Sequence, residues 1–128
     1  MKTVYLLLFV CALISCDCKD DNNNCITFEP AGIETVVEKP NADAIGRLFD
    51  VAFRVKNGCG NFGSFEETTE GSVTTIEVIA RYEGCICTEI SPLLETVYIF
   101  NQTTPGTYTL QFKKSEGTFI SQTVVIPE

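Results

Sequence analysis

The sequence contains no histidine and no tryptophan, and its basic residues are few: 9 Lys and Arg stand against 17 Asp and Glu. Each shortage removes a class of chemistry. Without histidine there is no Ser-His-Asp triad, no Cys-His pair and no His-ligated zinc site. A net charge of −8 gives no basic face to meet phosphates, which argues against nucleic acid as a partner. Length is short as well. At 128 residues, 45% of them hydrophobic, there is material for one compact core and not for two. No apolar run approaches the roughly 20 residues that a spanning helix needs. No stretch after residue 25 keeps a 3.6-residue period, so helix is expected nowhere beyond a turn near residues 41–44. Gly58-x-Gly60 opens no helical pattern and is no phosphate loop. No catalytic residue, no resident metal and no cofactor is expected.

What is there begins with an address. Lys2 precedes an apolar run over residues 4–14, and Ser15-Cys16 follows. A basic residue, a short apolar stretch and a small residue make a secretory signal peptide. Asp17, Asp20 and Asp21 stop the run from extending. Its end, Leu13-Ile14-Ser15-Cys16, resembles the lipobox of bacterial lipoproteins, with Leu three before the cysteine and a small residue just before it. The resemblance implies that residues 1–15 are cleaved and that Cys16 is acylated and becomes the mature N-terminus. Each buried CH₂ is worth about 0.8 kcal/mol, so two or three acyl chains anchor a small domain stably.

Residues 16–25 read as an acidic flexible tether, because Asp17-Cys18-Lys19-Asp20-Asp21-Asn22-Asn23-Asn24 cannot bury apolar area. The run lacks the Gly and distal Glu of a calcium loop. Lys19-Asp20-Asp21 resembles the surface-export signal of lipoproteins from the Bacteroidota. The implied location is the bacterial outer membrane, with surface exposure. Cleavage removes Lys2 and no acid, which makes the chain still more acidic. Anionic lipid repels such a chain, so the membrane must hold it through the anchor and not through a basic patch.

Residues 26–128 alternate with period two. Phe49, Val51, Phe53 and Val55 alternate with Leu48, Asp50, Ala52, Arg54 and Lys56. The same rhythm joins Ile76, Val78, Ala80 and Tyr82, and again Tyr108, Leu110 and Phe112. Each set is the buried face of a half-exposed strand. Residues 118–126 are rich in β-branched side chains, and residues 26–29, 34–38 and 96–100 are shorter candidates. Turn signals at Pro30-Ala31-Gly32, Lys39-Pro40-Asn41, Asn57-Gly58, Pro105-Gly106 and Ser115-Glu116-Gly117 separate them. The expected fold is all-β, a seven-stranded antiparallel immunoglobulin-like β-sandwich. Pro105-Gly106-Thr107-Tyr108 looks like the late hairpin of such sandwiches, in which Gly-x-Tyr sets the tyrosine at a sheet corner. In general aspect these residues resemble the small immunoglobulin-like lipoprotein domains of the Bacteroidota, and no functional residue comes with that likeness.

Cys18, Cys25, Cys59, Cys85 and Cys87 remain once Cys11 leaves with the signal and Cys16 takes the lipid. In an oxidising compartment bridges are the default. A bridge from Cys59 to Cys85 or Cys87 closes a loop of about 26 residues, worth roughly 3 kcal/mol. Cys85 and Cys87 point the same way on an extended chain, and the one left over has Cys25 as a partner. The rival is a thiolate site for Cu(I) or zinc built from Cys59, Cys85 and Cys87.

Residues 57–72 read as a long loop, the sort of connection that binds partners, with a bulged strand as the alternative. Phe62 and Phe65 are its apolar anchors, either for a partner or for the core, and Glu66, Glu67 and Glu70 form an acidic rim. Nothing marks those acids out as a glycosidase pair. The expected function is a non-enzymatic binding or structural module contacting an envelope protein or a glycan. The alternatives are a thiol metal carrier and a small protease-inhibitor-like module. Oligomeric state is not legible.

Overall fold

The computed structural model describes residues 25–40 and 46–128. The expected signal peptide, Cys16, the tether and the turn near 41–44 lie outside the described residues. Eight strands follow one another: β1 Ile26–Ala31, β2 Ile33–Lys39, β3 Arg47–Arg54, β4 Gly60–Glu70, β5 Val73–Glu83, β6 Leu93–Phe100, β7 Gly106–Lys113 and β8 Phe119–Ile126. They form two sheets, one of five strands and one with the order β2-β3-β6. The β-sandwich is as expected. The strand count is not: β4 is the eighth strand, in the segment read as a loop.

β5 organises the larger sheet. β4 pairs with it over residues 73–82, which fills one edge. The other edge is shared end to end, by β1 against residues 78–83 and by β7 against residues 73–76. β8 then pairs with β7. The expectation of a purely antiparallel fold needs a second correction, because β5 and β7 run parallel. The reason is the path between them. β6 crosses to the other sheet and carries the chain back along the molecule, so β7 starts from the same end as β5. Parallel neighbours always require such a crossover.

The core is the set of inner faces that period two predicts. Phe49, Val51 and Phe53 of β3 meet Ile76, Val78 and Ala80 of β5 and Leu110 and Phe112 of β7, all fully buried. Aromatic rings tie the two layers: Phe49 lies 5.7 Å from Phe112 between ring centroids, and Tyr98 of β6 lies 5.5 Å from Phe112, edge on. Truncating such a ring to Ala costs about 3–5 kcal/mol in transfer and cavity terms. Ion pairs decorate the surface. Arg54 holds Glu34 through two hydrogen bonds of 2.6 and 3.1 Å, and Lys56 reaches Glu29 at 2.5 Å. Such exposed pairs contribute little beside the core.

Candidate functional site

The sequence placed its candidates in residues 57–72, and the structure redistributes them. β4 takes Gly60–Glu70 and pairs along β5 throughout. An edge strand, not a long loop, therefore carries Phe62, Phe65, Glu66 and Glu67. Asn61, Gly63, Ser64 and the glutamates hide it, because these residue types are depleted in strands. Pairing with the strongly alternating β5 overrides that local preference.

A bulge decides where the two phenylalanines point. Phe62 faces Ala80 and Ser64 faces Ile79, so Gly63 is the inserted residue. A Cβ at Gly63 would lie 2.7 Å from the Ile79 carbonyl oxygen, and only glycine fits. The insertion resets the alternation, so Phe62 and Phe65, three apart, both turn inward. Phe62 lies 6.0 Å from Phe53 and 4.8 Å from Phe65, and Phe65 stands edge on to Tyr98 at 5.2 Å. The pair plugs the open seam where β4 passes β6. Phe65 is packed against the core, while Phe62 stays 37% exposed.

The acidic rim is split by the same alternation. Glu66 and Glu70 share the outer face, where Glu66 sits opposite Glu77. Glu67 shares the inner face with Phe65 and accepts a hydrogen bond from the Tyr98 hydroxyl. Burial, then the hydrogen bond to Glu67 and its charge, raise the Tyr98 pKa well above the ordinary phenol value. At neutral pH Tyr98 is thus a protonated donor committed to Glu67.

Glu67 and Tyr98 open onto a hollow of about 160 Å³ that Phe100, Asn101, Gln102 and Tyr108 also line. Each has its own support. Tyr108 donates its hydroxyl to the Thr104 carbonyl at 2.7 Å and packs edge on to Phe100 at 5.5 Å, which is the corner the Gly-x-Tyr pattern implied. Gln102 accepts the backbone N–H groups of Thr103 and Thr104 at 3.1 Å each, shaping the turn beside it. Thr69 and Thr74 share a 3.1 Å hydroxyl contact on the floor. Tyr98 and Phe100 are buried, so the hollow offers a ligand the part-exposed Tyr108 ring, the Glu67 carboxylate and the amides of Asn101 and Gln102, a set that suits hydroxyl groups. Sequence reasoning missed this site apart from Glu67. Phe100, Asn101 and Gln102 look unremarkable along the chain, and only the seam between sheets gathers them.

The four described cysteines lie at the opposite end. Cys25 is bridged to Cys85 with 5.0 Å between Cα atoms, and Cys59 to Cys87 with 5.4 Å. Cys59 thus takes one of its two expected partners and Cys25 the other. The bridges engage the three sulfurs of the thiolate alternative. Among the described residues no group of three or more His, Cys, Asp or Glu is placed to hold a metal ion. Backbone bonds reinforce the staples: Gly84 N–H donates to the Cys25 carbonyl at 2.9 Å, and Gly58 N–H to the Thr88 carbonyl at 2.9 Å. Gly84 takes a φ of +137°, and a Cβ there would lie 2.8 Å from the Cys59 sulfur. Between Cys85 and Cys87 the side chain of Ile86 stands 96% exposed.

A family model described as the ORF11 beta-sandwich domain covers residues 49–126, from β3 through β8 and more than half of the chain. No curated protein and no solved structure matches.

Proposed function

We propose that this chain, which belongs to the ORF11 beta-sandwich domain family, is a lipid-anchored, non-enzymatic binding module of the bacterial outer membrane. Its form is a small immunoglobulin-like lipoprotein of the Bacteroidota type. The anchor rests on the Leu13-Ile14-Ser15-Cys16 lipobox and the acidic run behind it. The observation that carries the binding role is the Tyr98–Glu67 hollow at the end remote from Cys25. Its chemistry favours a glycan. Sugar C–H faces pack on aromatic rings, and sugar hydroxyls pair with carboxylate and amide groups. Glu67 fits this role because its second carboxylate oxygen remains to accept from a ligand while Tyr98 fixes the first.

The test is a titration of the mature chain with cell-envelope oligosaccharides, read by calorimetry. Saturable binding is expected, and Glu67→Gln weakens it about tenfold, the loss of roughly one charged hydrogen bond. Melting temperature checks that the variant folds. Equal binding by the variant removes the hollow from the function.

A further inference from the structure

The end carrying the disulfides is also the end at which the tether joins the domain. Cys25 is the first described residue, and its bridge fixes it beside Cys85. Ile86 follows directly, flanked by the second bridged cysteine. The two bridges flank Ile86 on either side, and its side chain stands outward, 96% exposed. Ile90, 54% exposed in the same loop, lies beside Gly58, whose own neighbourhood is tied to Thr88. The domain thus presents a rigid apolar tip at its point of attachment.

We infer that this tip contacts the lipid surface itself, with Ile86 entering the interface of a zwitterionic bilayer and the Tyr98–Glu67 hollow pointing away from it. The inference rests on the lipid anchor proposed above. Chain length supports it. Residues 16–24 span roughly 30 Å when fully extended, at 3.3–3.6 Å per residue. β5, with its 11 residues, places the two ends of the sandwich roughly 35 Å apart. The anchor therefore keeps the Ile86 tip at high effective concentration next to the bilayer. One apolar side chain cannot hold a domain at a membrane, but beside an anchor it sets the orientation. Glu83 and Glu89 flank the tip, so uncharged lipid is the surface it fits.

The absence of tryptophan makes the test clean. Ile86→Trp and, at the remote β4–β5 turn, Ser72→Trp each install a single reporter in the full chain, expressed with its leader and purified from membranes. Each protein is placed on phosphatidylcholine vesicles with brominated acyl chains. The expected result is a blue-shifted Ile86→Trp emission quenched at least twofold, with Ser72→Trp unaffected. Circular dichroism confirms that both fold. Intact mass and vesicle flotation separate the two layers of the argument. A chain without acyl mass that fails to float overturns the anchor and the orientation together. An acylated, floating chain whose Ile86→Trp is unquenched overturns the orientation alone, and leaves Ile86 as an anchor for a protein pocket such as a protease cleft.

Discussion

The two ends of the sandwich are closed by different means. At one end Cys25–Cys85 and Cys59–Cys87 join β1, the start of β4 and the loop after β5 covalently. At the other, Tyr108 closes the β6–β7 turn with one hydrogen bond and one ring contact, and Tyr98 meets Glu67 across the seam. The stapled end exposes a bare apolar residue, Ile86, and its loop contributes Ser91 to a hollow whose charges, Glu29 with Lys56 and Glu34 with Arg54, are already paired. The other end gathers aromatic, carboxylate and amide groups. Covalent closure stabilises whatever sequence it encloses, because it acts mainly on the unfolded chain. It therefore leaves the loop composition at that end free. Hydrogen-bonded closure needs particular side chains in particular places, and those same groups line the hollow.

The sharpest way to break the contrast is to cut the staples. By chain entropy the 60-residue loop contributes roughly 4 kcal/mol and the 28-residue loop roughly 3.5 kcal/mol. Cys59→Ser with Cys87→Ser is expected to lower stability by about the latter amount in urea denaturation. Chemical shifts of Tyr108 and its neighbours at the remote end should be unchanged below the transition. Next comes the seam. Phe65→Ala leaves a cavity against Tyr98 and costs about 3 kcal/mol. It is consequently a stability variant and a poor probe of partner binding, whereas the half-exposed Phe62 costs less when truncated. A loss at Phe65 below about 1 kcal/mol would mean that the seam is looser than its ring contacts imply.

At the hydrogen-bonded end, Tyr108→Phe removes one bond to Thr104 and costs about 1 kcal/mol. Tyr98 adds a pH signature. Its folded pKa is raised, so its stabilisation is complete below the ordinary phenol pKa of about 10 and declines above it. There the unfolded chain releases a proton that the folded chain keeps. Stability measured from pH 8 to 11 should fall more steeply in the wild type than in Tyr98→Phe. Matching slopes would show that Tyr98 is not shielded. The smallest effect belongs to the surface. Arg54 holds the Glu34 carboxyl below its usual pKa, yet the pair lies on the exposed surface. Glu34→Gln is expected to leave the melting temperature within error at pH 7.

Much of the fold is legible along the chain because burial on one face imposes period two. Phe49 to Val55, Ile76 to Tyr82 and Tyr108 to Phe112 show it plainly, and each lies inward as expected. β4 is legible only as the bulged-strand alternative to a loop, for the opposite reason. It is an edge strand with one face solvated, its inner face ends in Glu67 and Thr69, and Gly63 breaks its phase. The parallel pairing of β7 with β5 is equally hidden, since local pattern carries no information on which neighbour a strand will meet. Of the candidate residues, the cysteines were recognisable by number and context, and Glu67 only as one acid among many.

By itself the sequence determined an all-β chain with one core, no histidine chemistry and cysteines suited to bridges, because composition and alternation act residue by residue. Only the tertiary structure decided that Gly63 turns Phe62 and Phe65 to the same side, that Glu66 and Glu67 part company, and that Ile86 stands outward at the end where Cys25 begins. Those outcomes depend on strand register and on contacts between residues far apart in the chain. No local stretch carries that information.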